Sequence, residues 1–220
     1  MMELTGSIPK PMLEIAGKPI LEYKLDALPQ EVDEIVLVIG YLKEVIERHF
    51  GSSYNGKKIT YIEQKNLNGT AGALWSARAI LKDRFLVMMG DDMYAEEDIA
   101  RCVEPSSNWR LLAQEISEMH RAGNIYLGED GNIIDIIEGD RHKEKGIAST
   151  NLYTLDTRIF GAPLIPKQPG SLEFGLPQTV VAASKSLGIM FEPVFTDKWI
   201  QITSPKDLVY AAEVLKKSSK

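Results

Sequence analysis

One cysteine in 220 residues, Cys102, leaves no partner for an internal disulfide and too few thiolates for a cysteine metal cluster. Histidine is nearly as scarce, and His49, His120 and His142 stand at separations that match no metal-ligand spacing, so they read as surface or packing residues. No window reaches the roughly 18 consecutive apolar residues of a membrane span, and the N-terminus lacks the basic-then-apolar layout of a secretory leader. A soluble, cytoplasmic protein with no membrane partner is the expectation. Positive charge is also in deficit: 25 Lys and Arg against 31 Asp and Glu leave a net charge of -6. That is the wrong sign for a protein that lies along nucleic-acid backbones, so any phosphate it binds must be met by a few local cations. Without repeats, low-complexity tracts or linker-like composition, residues 1–220 read as one large domain.

What is present is an alternation of helix-like and strand-like segments. Ile20, Leu21, Leu25 and Leu28 recur at helical spacing after Pro19, which suits a first-turn position. Val32 to Gly40 follows as a strand whose continuous Ile35–Ile39 apolar run suits burial on both faces. Leu42 to Phe50 and Ala71 to Leu81 read as helices, and Lys58 to Glu63 and Phe85 to Met89 as strands. Three strands separated by two helices predict consecutive βαβ units and a parallel sheet. Farther on, strands are expected at Trp109–Glu115, Ile125–Leu127, Ile133–Ile137, Ser149–Leu155 and Ile189–Phe195, with a turn at Gly131-Asn132. Helices are expected at Leu176–Leu187 and Pro205–Lys217, the latter with Ser204 as N-cap and Asp207 in its first turn.

Three segments carry chemistry: Ile8-Pro9-Lys10-Pro11-Met12-Leu13-Glu14-Ile15-Ala16-Gly17-Lys18-Pro19-Ile20, then Gly69-Thr70-Ala71-Gly72-Ala73-Leu74, then Gly90-Asp91-Asp92. In this order they resemble the nucleotidyltransferase domain of the sugar-1-phosphate nucleotidylyltransferases, over about Thr5 to Leu215. The resemblance implies an α/β, Rossmann-like, mostly parallel sheet with helices on both faces. It implies transfer of a nucleotidyl group from an NTP to a sugar 1-phosphate, giving an NDP-sugar and pyrophosphate, with Mg²⁺ as cofactor. Members of the family often form oligomers, so a homo-oligomer is a possible partner state.

Such a reaction crowds negative charge at the α-phosphorus, and the protein must supply cations and orientation. By resemblance Lys10, whose flanking prolines restrict the backbone and help aim the side chain, would contact phosphate. Asp91, emerging after an apolar strand and Gly90, should lie at the ligand-binding edge of the sheet, and by resemblance it would be a Mg²⁺ ligand, while Asp92 is expected to turn away and cap the following turn. By resemblance Gln64, Gly69 and Thr70 would hold the nucleotide, where a side-chain amide can pair with a base edge and glycine permits close approach. By resemblance Glu138 and Asn151 would bind the sugar. The lysine that follows that glutamate in the family is Gly139 here, with Lys143 or Lys145 nearby.

Two features of the family pattern are absent. The family begins with a strand and a glycine-rich loop ending Gly-Thr-Arg, so the chain reads as if roughly 20 residues preceded Met1. Gln201 stands where the family places a second metal-binding aspartate, and its neutral amide would hold Mg²⁺ more weakly. Asp197, four residues along an extended chain, lies about 13 Å away and is no substitute. Two alternatives accompany the enzyme reading: a non-catalytic nucleotide or sugar-phosphate binding homologue, and a nucleotidyltransferase acting on a phosphocholine-type ester.

Overall fold

The structure, a computed structural model, describes residues 6, 8–117, 122–138 and 145–218. In chain order its elements are β1 (Glu14–Ile15), β2 (Lys18–Pro19), α1 (Ile20–Asp26), β3 (Glu34–Ile39), α2 (Lys43–Phe50), β4 (Ser53–Tyr54), β5 (Lys57–Glu63), α3 (Gly69–Ser76) and β6 (Arg84–Val87). There follow β7 (Asp92–Met93), α4 (Glu96–Val103), β8 (Trp109–Ile116), β9 (Asn124–Leu127), β10 (Ile133–Ile137), β11 (Gly146–Asp156), α5 (Leu176–Leu187), β12 (Phe191–Thr196), β13 (Ile200–Gln201) and α6 (Pro205–Ser218). The chain divides into two compact units. Met1–Tyr61, Met89–Ala100 and Lys198–Lys220 form the first, and Ile62–Met88 with Arg101–Asp197 form the second.

In the first unit β1 and β2 form a hairpin on Ala16 and Gly17, both at positive φ (52° and 83°). That is the two-residue connection whose twist suits antiparallel strands. α1 divides its apolar stripe between two clusters. Leu21 and Leu25 pack with Met12, Ile35, Ile39, Ile46, Phe50 and Ile59, and Ile20 packs with Leu13, Ile15, Met93, Ile202 and Ala211. The second cluster ties the hairpin to β7, β13 and α6. Asp207 starts α6 as a capping residue, its Oδ2 accepting from the amides of Ser204 and Thr203 at 2.7 Å each. Burial opposes that carboxylate's charge, but these hydrogen bonds prevail and hold it below the usual range.

The second unit is built on a six-stranded sheet in the order β10-β9-β11-β8-β12, with β6 on the remaining part of β11. Trp109, Leu111, Leu112, Leu152, Tyr153 and Phe191 are fully buried in it. β11 is the long central strand, and its register against β8 shifts between Ser149 and Tyr153. α5 begins with Pro177 in its first turn and ends on Gly188 in the left-handed conformation, the expected asymmetry of helix ends.

The α/β class expected from the sequence holds, whereas the strand directions are mixed rather than mostly parallel. Only β8 and β12 run parallel in the large sheet; β9 with β10, and β11 with β6, β8 and β9, are antiparallel. The expected βαβ series also ends early. β3 and β5 are neighbours in a three-stranded sheet, but β6 joins β11 instead. Period and length identify a strand, while its partner is chosen by which edge can complete its hydrogen bonds. α4 was not anticipated; it buries Ile99 and Cys102 and carries Glu96, Glu97 and Asp98 in its first turn, where acids favour the helix dipole.

Candidate active site

Lys10 opens a short 3-10 turn, Lys10–Met12, entered from Pro9 at φ -64°. The turn is closed by the Met12 amide donating to Pro9 (2.8 Å) and the Leu13 amide donating to Lys10 (3.1 Å). Met12 and Leu13 then bury in the two apolar clusters, so the turn is anchored on its C-terminal side and the lysine projects from a fixed base. The opposing strand end is fitted to it: a Cβ on Gly90 would lie 2.9 Å from Pro11 Cγ. Glycine therefore lets the 90–92 turn close against the proline, and the next residue, Asp91, accepts a hydrogen bond from Lys10 Nζ. The two expected residues, 81 positions apart, form one ion pair. Their side chains are 29% and 35% exposed, open enough to exchange each other for a phosphate or a cation.

Asp92 does not cap a turn as expected. It is 4% exposed, and in β7 it stands directly opposite Gln201 of β13, so the two side chains share a face of the short ladder. The physical reason is the alternation of the strand, which sends Asp92 into the protein once Asp91 faces out. Burial pushes the Asp92 carboxyl up to about 7, with the Asp91 charge adding; Lys24's charge and a hydrogen bond from Trp199 hold it back. The compensating cation is Lys24 of α1, itself 2% exposed, whose Nζ donates to the Asp92 carbonyl. Burial pulls that ammonium down to about 7 against the attraction of Asp92 and Asp91. Sequence reasoning missed Lys24. The signal was there: it falls on the Ile20, Leu21, Leu25 stripe, where a lysine is out of place.

The expected nucleotide residues lie in the second unit. Gln64 Nε2 donates to Asn68 Oδ1 (3.3 Å) and to the Gly69 carbonyl (3.2 Å). Gly69 has φ +92°, and a Cβ there would stand 2.8 Å from the Phe174 nitrogen and closer still to its carbonyl oxygen. The Phe174 amide donates to Asn68 O (2.8 Å) and the Ala71 amide to Phe174 O (3.1 Å). Thr70 Oγ1 accepts from the Leu176 amide at 2.9 Å, capping the first turn of α5. Close approach at Gly69 is thus used by the protein's own backbone.

Gln178, also in the first turn of α5, donates to Glu138 Oε2 at 3.2 Å, so one segment, 174–178, contacts both the Gly69 loop and the expected sugar glutamate. Asn151 sits at the β11 irregularity with φ 58°, a conformation asparagine tolerates better than most residues. Its Oδ1 accepts from Ser149 Oγ (3.3 Å) and Tyr153 Oη (3.1 Å). Burial raises the Tyr153 phenol well above its ordinary range; Ser149 opposes this and the Glu138 charge adds to it. Gly123 lies between these residues, with its Cβ position 3.6 Å from Glu138 Cγ and 3.8 Å from Ser149 Cβ. Gly139, Lys143, His120 and His142 are outside the described residues.

For a divalent cation the donor set is sparse: among the described residues no group of three or more His, Cys, Asp or Glu could hold a metal. Asp91 offers one accessible carboxylate, whereas Gln201 stands opposite the buried Asp92 in the ladder. That fits a hard cation shared with substrate phosphates, which needs only one or two protein carboxylates.

The fold is shared with solved structures. The chain is similar to apo UDP-glucose pyrophosphorylase with a TM-score of 0.80 and 19% identity, covering 100% of this chain and 94% of that one. It is also similar to HddC from Yersinia pseudotuberculosis, with a TM-score of 0.72 and 24% identity over 96% and 91% of the two chains. The nucleotidyl transferase family profile matches residues 1–218. The chain belongs to the nucleotidyl transferase family. Among curated relatives, Bifunctional protein GlmU of Methanococcus maripaludis is 33% identical over 174 residues, 77% of this chain and 41% of that protein. The UTP–glucose-1-phosphate uridylyltransferase AglF of Haloferax volcanii is 28% identical over 211 residues, 93% of this chain and 86% of that protein. The chain therefore spans about two-fifths of the GlmU relatives it matches.

Proposed function

We propose that this protein transfers a nucleotidyl group from an NTP to a sugar 1-phosphate, releasing pyrophosphate. The observation that carries the reading is the Lys10–Asp91 pair, assembled across the chain by the Gly90–Pro11 contact in a member of the nucleotidyl transferase family. A phosphate oxygen of the sugar phosphate attacks the α-phosphorus, the bond to the bridging oxygen breaks, and pyrophosphate leaves with the electron pair. No covalent enzyme intermediate is needed, so the protein's work is charge and alignment. Lys10 exchanges Asp91 for phosphate oxygens and neutralises charge there. Asp91 would hold Mg²⁺, with the neutral Gln201 standing where the family pattern has a second aspartate. That ion, when bound, would offset the charge of the phosphate oxygens. Gln64, Gly69 and Thr70 are assigned to the nucleotide, and Glu138 and Asn151 to the sugar.

No helix among the described residues is long and apolar enough to cross a membrane, and we place the reaction in the cytoplasm. One observation favours a second reading: the neutral Gln201 opposite Asp92 suits a protein that binds these ligands without turnover. Pyrophosphate release with a panel of NTPs and sugar 1-phosphates, beginning with UTP and glucose 1-phosphate, separates the two. Release that requires both substrates, with an NDP-sugar of the matching mass, supports transfer. Binding of both substrates with no release supports the second reading and rejects the first.

A further inference from the structure

We infer that Lys24 is a positioning residue for the proposed transfer, clamping the turn that carries Asp91 from beneath. The inference rests on the nucleotidyl-transfer reading and deepens it. Lysine is almost never fully buried unless something pairs with it, and at an α1 position flanked by Leu21 and Leu25 a leucine would serve packing alone. Lys24 is 2% exposed and its Nζ reaches the Asp92 carbonyl, 68 residues away in the chain. The Tyr94 ring lies 6.0 Å from the same ammonium. Its side chain therefore ends on the segment that follows Asp91.

That segment needs an extra fastening. β7 has only two residues, Asp92 and Met93, and is paired only with the equally short β13. Two ladder positions give little resistance to sliding or fraying. Gly90 packs on Pro11 at one end of the turn, and Met93 is held in the Leu13, Ile15, Ile202 cluster at the other. Between these two anchors the Asp92 carbonyl accepts from the Lys24 ammonium. Lys24 also places a positive charge beside two adjacent aspartates, so both carboxylates can sit in one short turn without a second acidic repulsion going unanswered. Asp91 then stays directed at Lys10 by a group that touches neither substrate.

The test compares Lys24→Met, which keeps the stem and removes charge and donor, with Lys24→Gln, which keeps an N–H donor without charge. A merely structural lysine predicts a lower Tm and loss of every kinetic parameter together. Positioning predicts instead a selective kinetic loss measured where Lys24→Met is still fully folded, although its Tm also falls because the buried Asp92 carboxyl and carbonyl lose their partner. Its kcat falls at least about tenfold while KM for the NTP moves less than about threefold. Mn²⁺ binding in the presence of a non-hydrolysable NTP, followed by electron paramagnetic resonance, weakens in parallel, and Lys24→Gln recovers part of both losses. A folded Lys24→Met with wild-type kcat and Mn²⁺ affinity overturns the inference and leaves the transfer reading intact. If Lys24→Met does not fold, Lys24→Gln alone decides: a selective fall in kcat and Mn²⁺ affinity with KM for the NTP nearly unchanged supports the inference, while wild-type values, or a uniform loss with a lowered Tm, overturn it. Wild-type protein that neither releases pyrophosphate nor binds Mn²⁺ with the NTP overturns both.

Discussion

Gly69→Ala is the substitution whose effect follows most directly from the coordinates. At φ +92° an added Cβ is strained whatever surrounds it, which amounts to about 1–2 kcal/mol. Here it also meets main chain, not a movable side chain: the Phe174 nitrogen at 2.8 Å and, nearer, its carbonyl oxygen. Relief requires the 68–71 loop to separate from Phe174, and the two hydrogen bonds between them, at 2.8 and 3.1 Å, contribute about 1 kcal/mol each. The sum is roughly 3 kcal/mol of lost stability. Urea unfolding followed by circular dichroism reads it as a lower midpoint at constant slope. Gly72→Ala is the matched control. The three atoms nearest its Cβ all belong to the Asn68 side chain, Oδ1 closest, and that side chain can swing away. The helix gains up to about 1 kcal/mol from the alanine, offsetting the lost Gln64–Asn68 hydrogen bond. The two variants should therefore separate by at least about 2 kcal/mol. Equal stabilities, or a Gly69→Ala loss below about 0.5 kcal/mol, would refute the claim that the glycine is there for Phe174.

Gln201→Asp restores a charged oxygen beside Asp92 and should lower the Mg²⁺ concentration for half-maximal pyrophosphate release by about tenfold; an unchanged Mg²⁺ requirement would mean the cation is held elsewhere. Thr70→Val removes the acceptor of the Leu176 amide and should cost about 1–2 kcal/mol in urea unfolding. Gln178→Met removes the donor to Glu138 and should raise KM for the sugar phosphate while leaving that for the NTP in place, as steady-state kinetics on each substrate would show. The Lys24 and Asp92 pair sets a pH dependence. Asp92, raised in the fold, contributes stability that is complete below its ordinary 3.8 and lost as pH rises through about 7. Lys24, lowered in the fold, contributes stability that is complete above its ordinary 10.5 and lost as pH falls through about 7. Relative to a Lys24→Met, Asp92→Asn double variant, the wild-type urea midpoint should dip near neutrality and recover toward both about pH 5 and about pH 9; a monotonic difference would refute the assignment.

Most elements were legible because they are written in local periodicity. α5 at Leu176–Leu187 and β10 at Ile133–Ile137 match their expected bounds, and β3 differs only by shorter ends. The Asp207 cap of α6 was readable for the same reason, since its partners are three and four residues away. Lys10 and Asp91 were legible as residue types in a familiar order, and the fold adds that they form one ion pair. Strand partners were not legible. β6 would suit β5 or β11 equally by composition, and its hydrogen bonds went to β11.

The amino-acid order by itself marked most helices and strands, α4 excepted, and excluded an internal disulfide and a long apolar run. Those properties depend on neighbours within a few residues, or on side-chain chemistry alone. Only the tertiary structure decided that Asp92 is buried opposite Gln201, that Lys24 reaches the carbonyl behind Asp91, and that Gly69 is closed against Phe174. Each of these depends on contacts between segments 68 to 109 residues apart, where burial and charge are set by what the fold brings near.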